Sequence, residues 1–126
     1  MAGQGRITTG EHVRRALEFL EHSDREFAAG QQQQGSEKLW GAVCQVAFAV
    51  AKQRGLPHGK SSHRRRAVRE LSREYDEPLI ARDYGLAEKF HANFYHDFME
   101  DDEIDDNRPM VREFVHRLIE IVESQD

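Results

Sequence analysis

Long apolar runs are missing from this sequence. No stretch approaches the ~20 apolar residues that a helix needs to span a bilayer, and the first ten residues, MAGQGRITTG, have no apolar core. Neither membrane association nor a secretory leader is therefore expected. Cysteine is nearly missing too. Cys44 stands alone, which excludes an internal disulfide and a Cys/His zinc framework, and a reducing, cytoplasmic compartment is the matching expectation. Cys44 lies among Val43, Val46 and Ala47 and reads as a small core residue. Proline occurs only three times and β-branched runs are scarce, both of which favour helices over strands. No Gly-x-Ser-x-Gly, P-loop or dinucleotide fingerprint is present, so nucleophilic hydrolysis by a triad has no support. His58/His63 and His91/His96 are five apart, which does not place two rings on one helical face. Asp101, Asp102, Asp105 and Asp106 lack the register of a calcium loop. No metal site and no cofactor are expected.

What is present is enough for one folded domain. The 126 residues can bury a core. At 38% hydrophobic and 33% charged, the chain is globular with a strongly charged surface. The net charge of −5 conceals an asymmetry. Lys52, Arg54, Lys60, Arg64, Arg65, Arg66, Arg69 and Arg73 stand against Glu70 alone between residues 52 and 73. Asp97, Glu100, Asp101, Asp102, Glu103, Asp105 and Asp106 form an acidic segment without a base.

Periodicity predicts an all-α, up-and-down bundle of about five helices over residues 8–126, after a loose tail over 1–7. Thr8-x-x-Glu11 is a capping box for a first helix whose stripe is Val13, Ala16, Leu17, Leu20 and Phe27, ending near Gly30. Gln31–Gln34 and Gly35 read as a connector. Ser36 then caps a helix that is apolar nearly all round and ends at Gly55, which marks it as the buried centre. Ser61 or Ser62 caps a third helix over about His63–Tyr75, with few apolar positions (Ala67, Val68, Leu71), so it belongs at the edge. Pro78 opens a fourth helix with Leu79, Ile80, Leu86, Ala87, Phe90, Phe94 and Phe98 on its apolar face, and Gly85 suggests a weak point or a close approach. The acidic segment reads as a loop or frayed turn. Asn107 and Pro109 start the last helix, with Val111, Phe114, Val115, Leu118, Ile119 and Val122 inward.

Two stretches could carry chemistry. Lys60, His63, Arg64, Arg65, Arg66, Arg69 and Arg73 are dense enough in cation to hold phosphate, because guanidinium grips phosphate oxygens bidentately. The bland alternative is a solvated face, or one that pairs with the chain's own acidic segment. No aromatic residue interleaves the basic stretch, so a single-strand stacking platform is not expected. In KFHANFYH, His91 and Tyr95 are i, i+4 neighbours, so a proton-transfer or hydrogen-bonding pair is possible, as are ordinary half-buried structural roles.

With those residues in view, the chain resembles the PaREP-type proteins of the HEPN superfamily. The carrying residues are Ser36-Glu37-Lys38-Leu39-Trp40-Gly41-Ala42 and Leu86-x-x-Lys89-x-His91-x-Asn93-Phe94-Tyr95. The resemblance implies a helical bundle that often acts as a dimer, in a superfamily with many ribonucleases, toxins and nucleotide binders. Its nuclease signature is an Arg and a following His with four to six residues between them. Arg6…His12 and Arg15…His22 have suitable spacing but lie at the wrong end of the chain, and Arg82…His91, Arg108…His116 and Arg112…His116 miss it. The leading expectation is therefore a homodimer that binds nucleotide, RNA or another polyanion through Lys60–Arg73, without standard nuclease chemistry. Lys38, Trp40, His91, Asn93 and Tyr95 would line a cleft beside the central helix. The alternatives are a non-standard ribonuclease with His63, His91 or Tyr95 as candidate catalytic groups, and an interaction module that meets a protein partner through residues 97–106.

Overall fold

The computed structural model describes residues 7–125, and among them there are five α-helices and no strand: α1 (Thr9–Ala28), α2 (Gln32–Gln53), α3 (Ser61–Glu74), α4 (Pro78–His96) and α5 (Asp101–Ser124). The all-α reading holds. The expected tail falls on residues 1–6, which lie outside the described residues, and on Ile7, whose carbonyl accepts a hydrogen bond from the Lys52 ammonium.

The first helix starts as its sequence dictates. The Glu11 N–H donates to Thr8 Oγ1 at 3.1 Å, and the Thr8 N–H donates to Glu11 Oε1 at 3.4 Å. Those hydrogen bonds hold the Glu11 carboxyl below its ordinary range. At the other end Gly30 takes φ +78°, and the Gln31 N–H reaches back to the Glu26 carbonyl at 2.8 Å. Gly55 closes α2 the same way.

α2 is the axis of the bundle and packs against all four other helices. Leu39, Val43, Val46, Ala47, Val50 and Ala51 are fully buried. It begins earlier than the sequence suggests. Ser36 is not a cap but sits inside the helix, wholly buried, and Gly35 does not break it. The reason is packing on α1. A Cβ on Gly35 would lie 2.7 Å from the Phe27 ring, so the missing side chain makes room for Phe27 instead of ending the helix. Ser23 Oγ donates to the Gly35 carbonyl at 2.9 Å across the same contact.

α3 is the edge helix, as expected. It touches α2 and α4, and none of its residues comes near α5. Its start also differs from expectation. Lys60 is the cap residue, and the Lys60 N–H donates to His63 Nδ1 at 3.2 Å, so an imidazole does the work assigned to Ser61 or Ser62. α4 opens at Pro78 as read. Gly85 meets nothing within 4 Å, so no close approach explains it. Leu17, Leu79 and Phe98, which the periodicity placed on buried stripes, are exposed.

The largest correction is α5. The acidic segment is a loop only over residues 97–100: helix begins at Asp101, with Asp101, Asp102 and Glu103 in its first turn. Carboxylates there face the positive end of the helix dipole, and Ile104 anchors the turn in the core at 1% exposure. Pro109 lies inside this helix instead of starting it. Pro109 and Asp105 are both exposed, so the Asp105 carbonyl that loses its helical partner faces water.

Candidate nucleic-acid interface

The basic residues of α3 divide into three groups. Arg64 turns inward. Its guanidinium lies 5.5 Å from the Phe48 ring centre, and its Nε is buried without a hydrogen-bond partner. Its positive charge lies near Cys44 and Tyr84 and acts against the effect of burial on both. Burial pushes the Cys44 thiol up to about 11 and the Tyr84 hydroxyl up to about 12, so both stay protonated in this half-buried cluster. Arg65 turns toward α4 and binds Glu88 at 2.6 Å. Arg66, Arg69 and Arg73 form the third group. All are exposed, and none makes an ion pair with any described residue.

Helical periodicity explains this division. Ala67, Val68, Leu71 and Ser72 are buried and fix which side of α3 faces the bundle. Arg66, Arg69 and Arg73, at i, i+3 and i+7, are thereby forced outward together. With Ser62, Arg65 and Glu70 they line an open groove of about 390 Å³. The chain's own acidic segment does not neutralise this face. Glu103 pairs with Lys89, and Asp101 accepts from Gln32. Arg54, from the end of α2, is occupied by Glu74 at 3.0 Å. Lys60 is exposed at the cap, and His63 is committed through Nδ1 to that cap.

The second expected cleft lies between α2 and α4. Glu37 Oε1 is 3.0 Å from His91 Nδ1, and Trp40 stacks on the His91 ring at 5.0 Å and 22°. The carboxylate holds Nδ1–H, which leaves the Nε2 lone pair of His91 available. Tyr95 meets His91 edge to face at 5.4 Å and is 64% exposed. Lys38 is elsewhere, over the Phe19 ring of α1 at 5.8 Å. Asn93 is not in a cleft at all. It is fully buried, donating Nδ2–H to Ser36 Oγ at 3.0 Å and accepting from the Phe98 and Met99 N–H groups at 2.9 and 2.8 Å. Asn93 therefore ties α2 to the turn between α4 and α5. His63 and His91 share no contact among the described residues, so they form no joint acid–base pair.

Four participants were missing from the sequence reading: Glu37, Tyr84, Glu88 and His12. Glu37 entered only as part of the Ser36–Ala42 stretch, and nothing local marks it as the partner of His91, 54 residues away. Tyr84, Glu88, His91 and Tyr95 recur at i, i+4, i+7 and i+11, a stripe that was legible in the sequence. His12 is 4% exposed, its Nδ1 2.7 Å from Gln45 Oε1 and its Nε2 unpartnered. Its place one turn before the buried Ala16 was the available signal. Among the described residues no cluster of His, Cys, Asp and Glu is suited to hold a metal ion, and no helix is long and apolar enough to cross a membrane.

Comparison with known proteins gives one match. The model of the archaeal PaREP1/PaREP8 family matches residues 11–115, more than four-fifths of the chain and all but the last part of α5. No curated protein and no solved structure matches.

Proposed function

The chain belongs to the archaeal PaREP1/PaREP8 family, and on that premise we propose that it is a HEPN-like bundle that binds a polyanion, RNA or a nucleotide, through the outer face of α3. The observation that carries this reading is the unpaired trio Arg66, Arg69 and Arg73 in a protein of net charge −5. An acidic protein has carboxylates to spare, yet none lies within ion-pair distance of these three guanidinium groups among the described residues. α3 is held on α2 and α4 through its other side, so the arginine face is presented without rearrangement. Phosphate oxygens accept from such groups bidentately and release counterions on binding. The test is titration of labelled RNA and of inorganic polyphosphate against the wild-type chain and the Arg66→Ala/Arg69→Ala/Arg73→Ala variant in rising salt. Binding that falls steeply with salt and is lost in the variant supports the reading; salt-insensitive or absent binding ends it.

A second reading, a non-standard ribonuclease, is favoured by the Glu37–His91 pair. A carboxylate that fixes the imidazole tautomer with Nε2 outward is the arrangement a general base needs. It predicts RNA cleavage that is lost in both Glu37→Gln and His91→Ala while the helical fold survives. Cleavage that persists in both variants removes it.

A further inference from the structure

We infer that the polyanion is a single-stranded nucleic acid, with one base stacked on Tyr95 beyond the start of α3; this rests on the polyanion reading of α3. α3 and α4 run antiparallel and are joined by the Arg65–Glu88 bridge. Tyr95 lies seven residues after Glu88, two turns on and on the same face, so it sits about 10 Å along α4 from that bridge. Arg69 and Arg73 extend about 12 Å from it in the opposite direction along α3. Along the helix axes the order is therefore Arg73, Arg69, the bridge with Arg66 beside it, and then Tyr95. α3 starts too late to cover this end of α4, which is why Tyr95 is 64% exposed while Tyr84, on the same stripe, is 3% exposed.

The ring is held ready. Its neighbours His91, Phe94 and His96 stand at 83°, 73° and 53° to it, so none stacks parallel on the ring, and the residue is 64% exposed. Its hydroxyl makes no hydrogen bond with any described residue. The charges around the two ends then assign the parts of the ligand. Phosphate fits the α3 end, where cations outnumber the single Glu70. It fits less well beside Tyr95, whose ring neighbour His91 is paired with the Glu37 carboxylate and which Asp97 follows two residues on. A neutral base does fit there. Duplex bases are already stacked on one another and cannot reach Tyr95, whereas unpaired bases stack on aromatic rings whatever their sequence.

The test compares a fluorescein-labelled single-stranded RNA of about ten nucleotides, DNA of the same length and sequence, and the corresponding RNA duplex, by anisotropy. Wild-type chain is expected to bind the single strands more tightly than the duplex; the tighter of the two names the sugar. Tyr95→Ala should weaken single-strand binding by about 5- to 100-fold, leave its salt slope unchanged, and leave duplex binding unaltered. Tyr95→Phe should bind as wild type. Single-strand affinity that is unchanged in Tyr95→Ala, with all ligands still bound in a salt-dependent way, overturns the stacking inference and leaves the polyanion reading standing. Absence of binding to all three nucleic acids and to polyphosphate overturns both.

Discussion

Replacing Asn93 by leucine should unfold the bundle far more readily than its single position suggests. The side chain is fully buried and makes three hydrogen bonds, two of them to backbone N–H groups of the turn between α4 and α5. Leucine keeps the branched shape and the number of heavy atoms but accepts nothing. The Met99 N–H is then stranded in the core, since Met99 is 5% exposed, and a stranded buried donor costs about 1–3 kcal/mol. Phe98 is 46% exposed, so water can reach its N–H and the loss there is smaller, about 1 kcal/mol. The lost bond to Ser36 is worth about 1 kcal/mol. Together these give a destabilisation of about 3–5 kcal/mol, a large share of the ~5–15 kcal/mol that a domain possesses. The control is Ser36→Ala, which removes only the third bond, leaves Asn93 Nδ2–H buried without that acceptor, and should cost about 1–2 kcal/mol. Urea denaturation followed by circular dichroism measures both. If Asn93→Leu costs no more than Ser36→Ala, the two backbone bonds contribute nothing and Asn93 does not anchor the turn.

Two glycines inside helices should respond oppositely to the same change. Gly85→Ala adds a methyl where nothing lies within 4 Å and should raise stability by about 0.5–1 kcal/mol, whereas Gly35→Ala drives a Cβ into the Phe27 ring and should lower it by about 1–3 kcal/mol; thermal melts of the two variants check both. Burial holds the His12 imidazole below its ordinary value, against the hydrogen bond to Gln45. The unfolded chain then binds the extra proton first, so the contribution of a neutral His12 is complete above the unfolded value near 6.5 and is lost as pH falls through the lower folded value. Urea midpoints measured from pH 8 to pH 5 should drop in wild type and drop less in His12→Gln. Cys44, its thiol raised to about 11, should react with iodoacetamide at pH 8 at least ~10-fold more slowly than in denaturant; equal rates would contradict its half-buried setting.

The architecture was legible because α2 is apolar almost all round and the caps are written in the sequence: Thr8 with Glu11, Gly30, Gly55 and Pro78 all act where they were read. Boundaries failed where a tertiary contact overrode a local signal. Gly35 looked like a breaker, but it is a contact for Phe27. The acidic run looked like a loop, but the helix dipole and Ile104 draw it into α5. The candidate site was partly legible. Periodicity forces Arg66, Arg69 and Arg73 to one face, and the edge position of α3 follows from its few apolar residues. Sequence could not say that Arg64 folds inward against Phe48, that Arg65 is taken by Glu88, or that Asn93 is core instead of cleft. Those outcomes depend on what the neighbouring helix offers at each level.

The central claim is that Arg66, Arg69 and Arg73 are kept free to meet phosphate. The most direct test is the salt dependence of RNA affinity for wild type and for the variant with all three replaced by alanine, with circular dichroism confirming that the helices persist. Each phosphate contact contributes about 0.7–0.9 to the slope of log K against log salt. Loss of three should flatten that slope by about 2 and weaken binding at low salt by at least ~100-fold. An unchanged slope, or a wild-type chain that binds no RNA even at low salt, would contradict the claim.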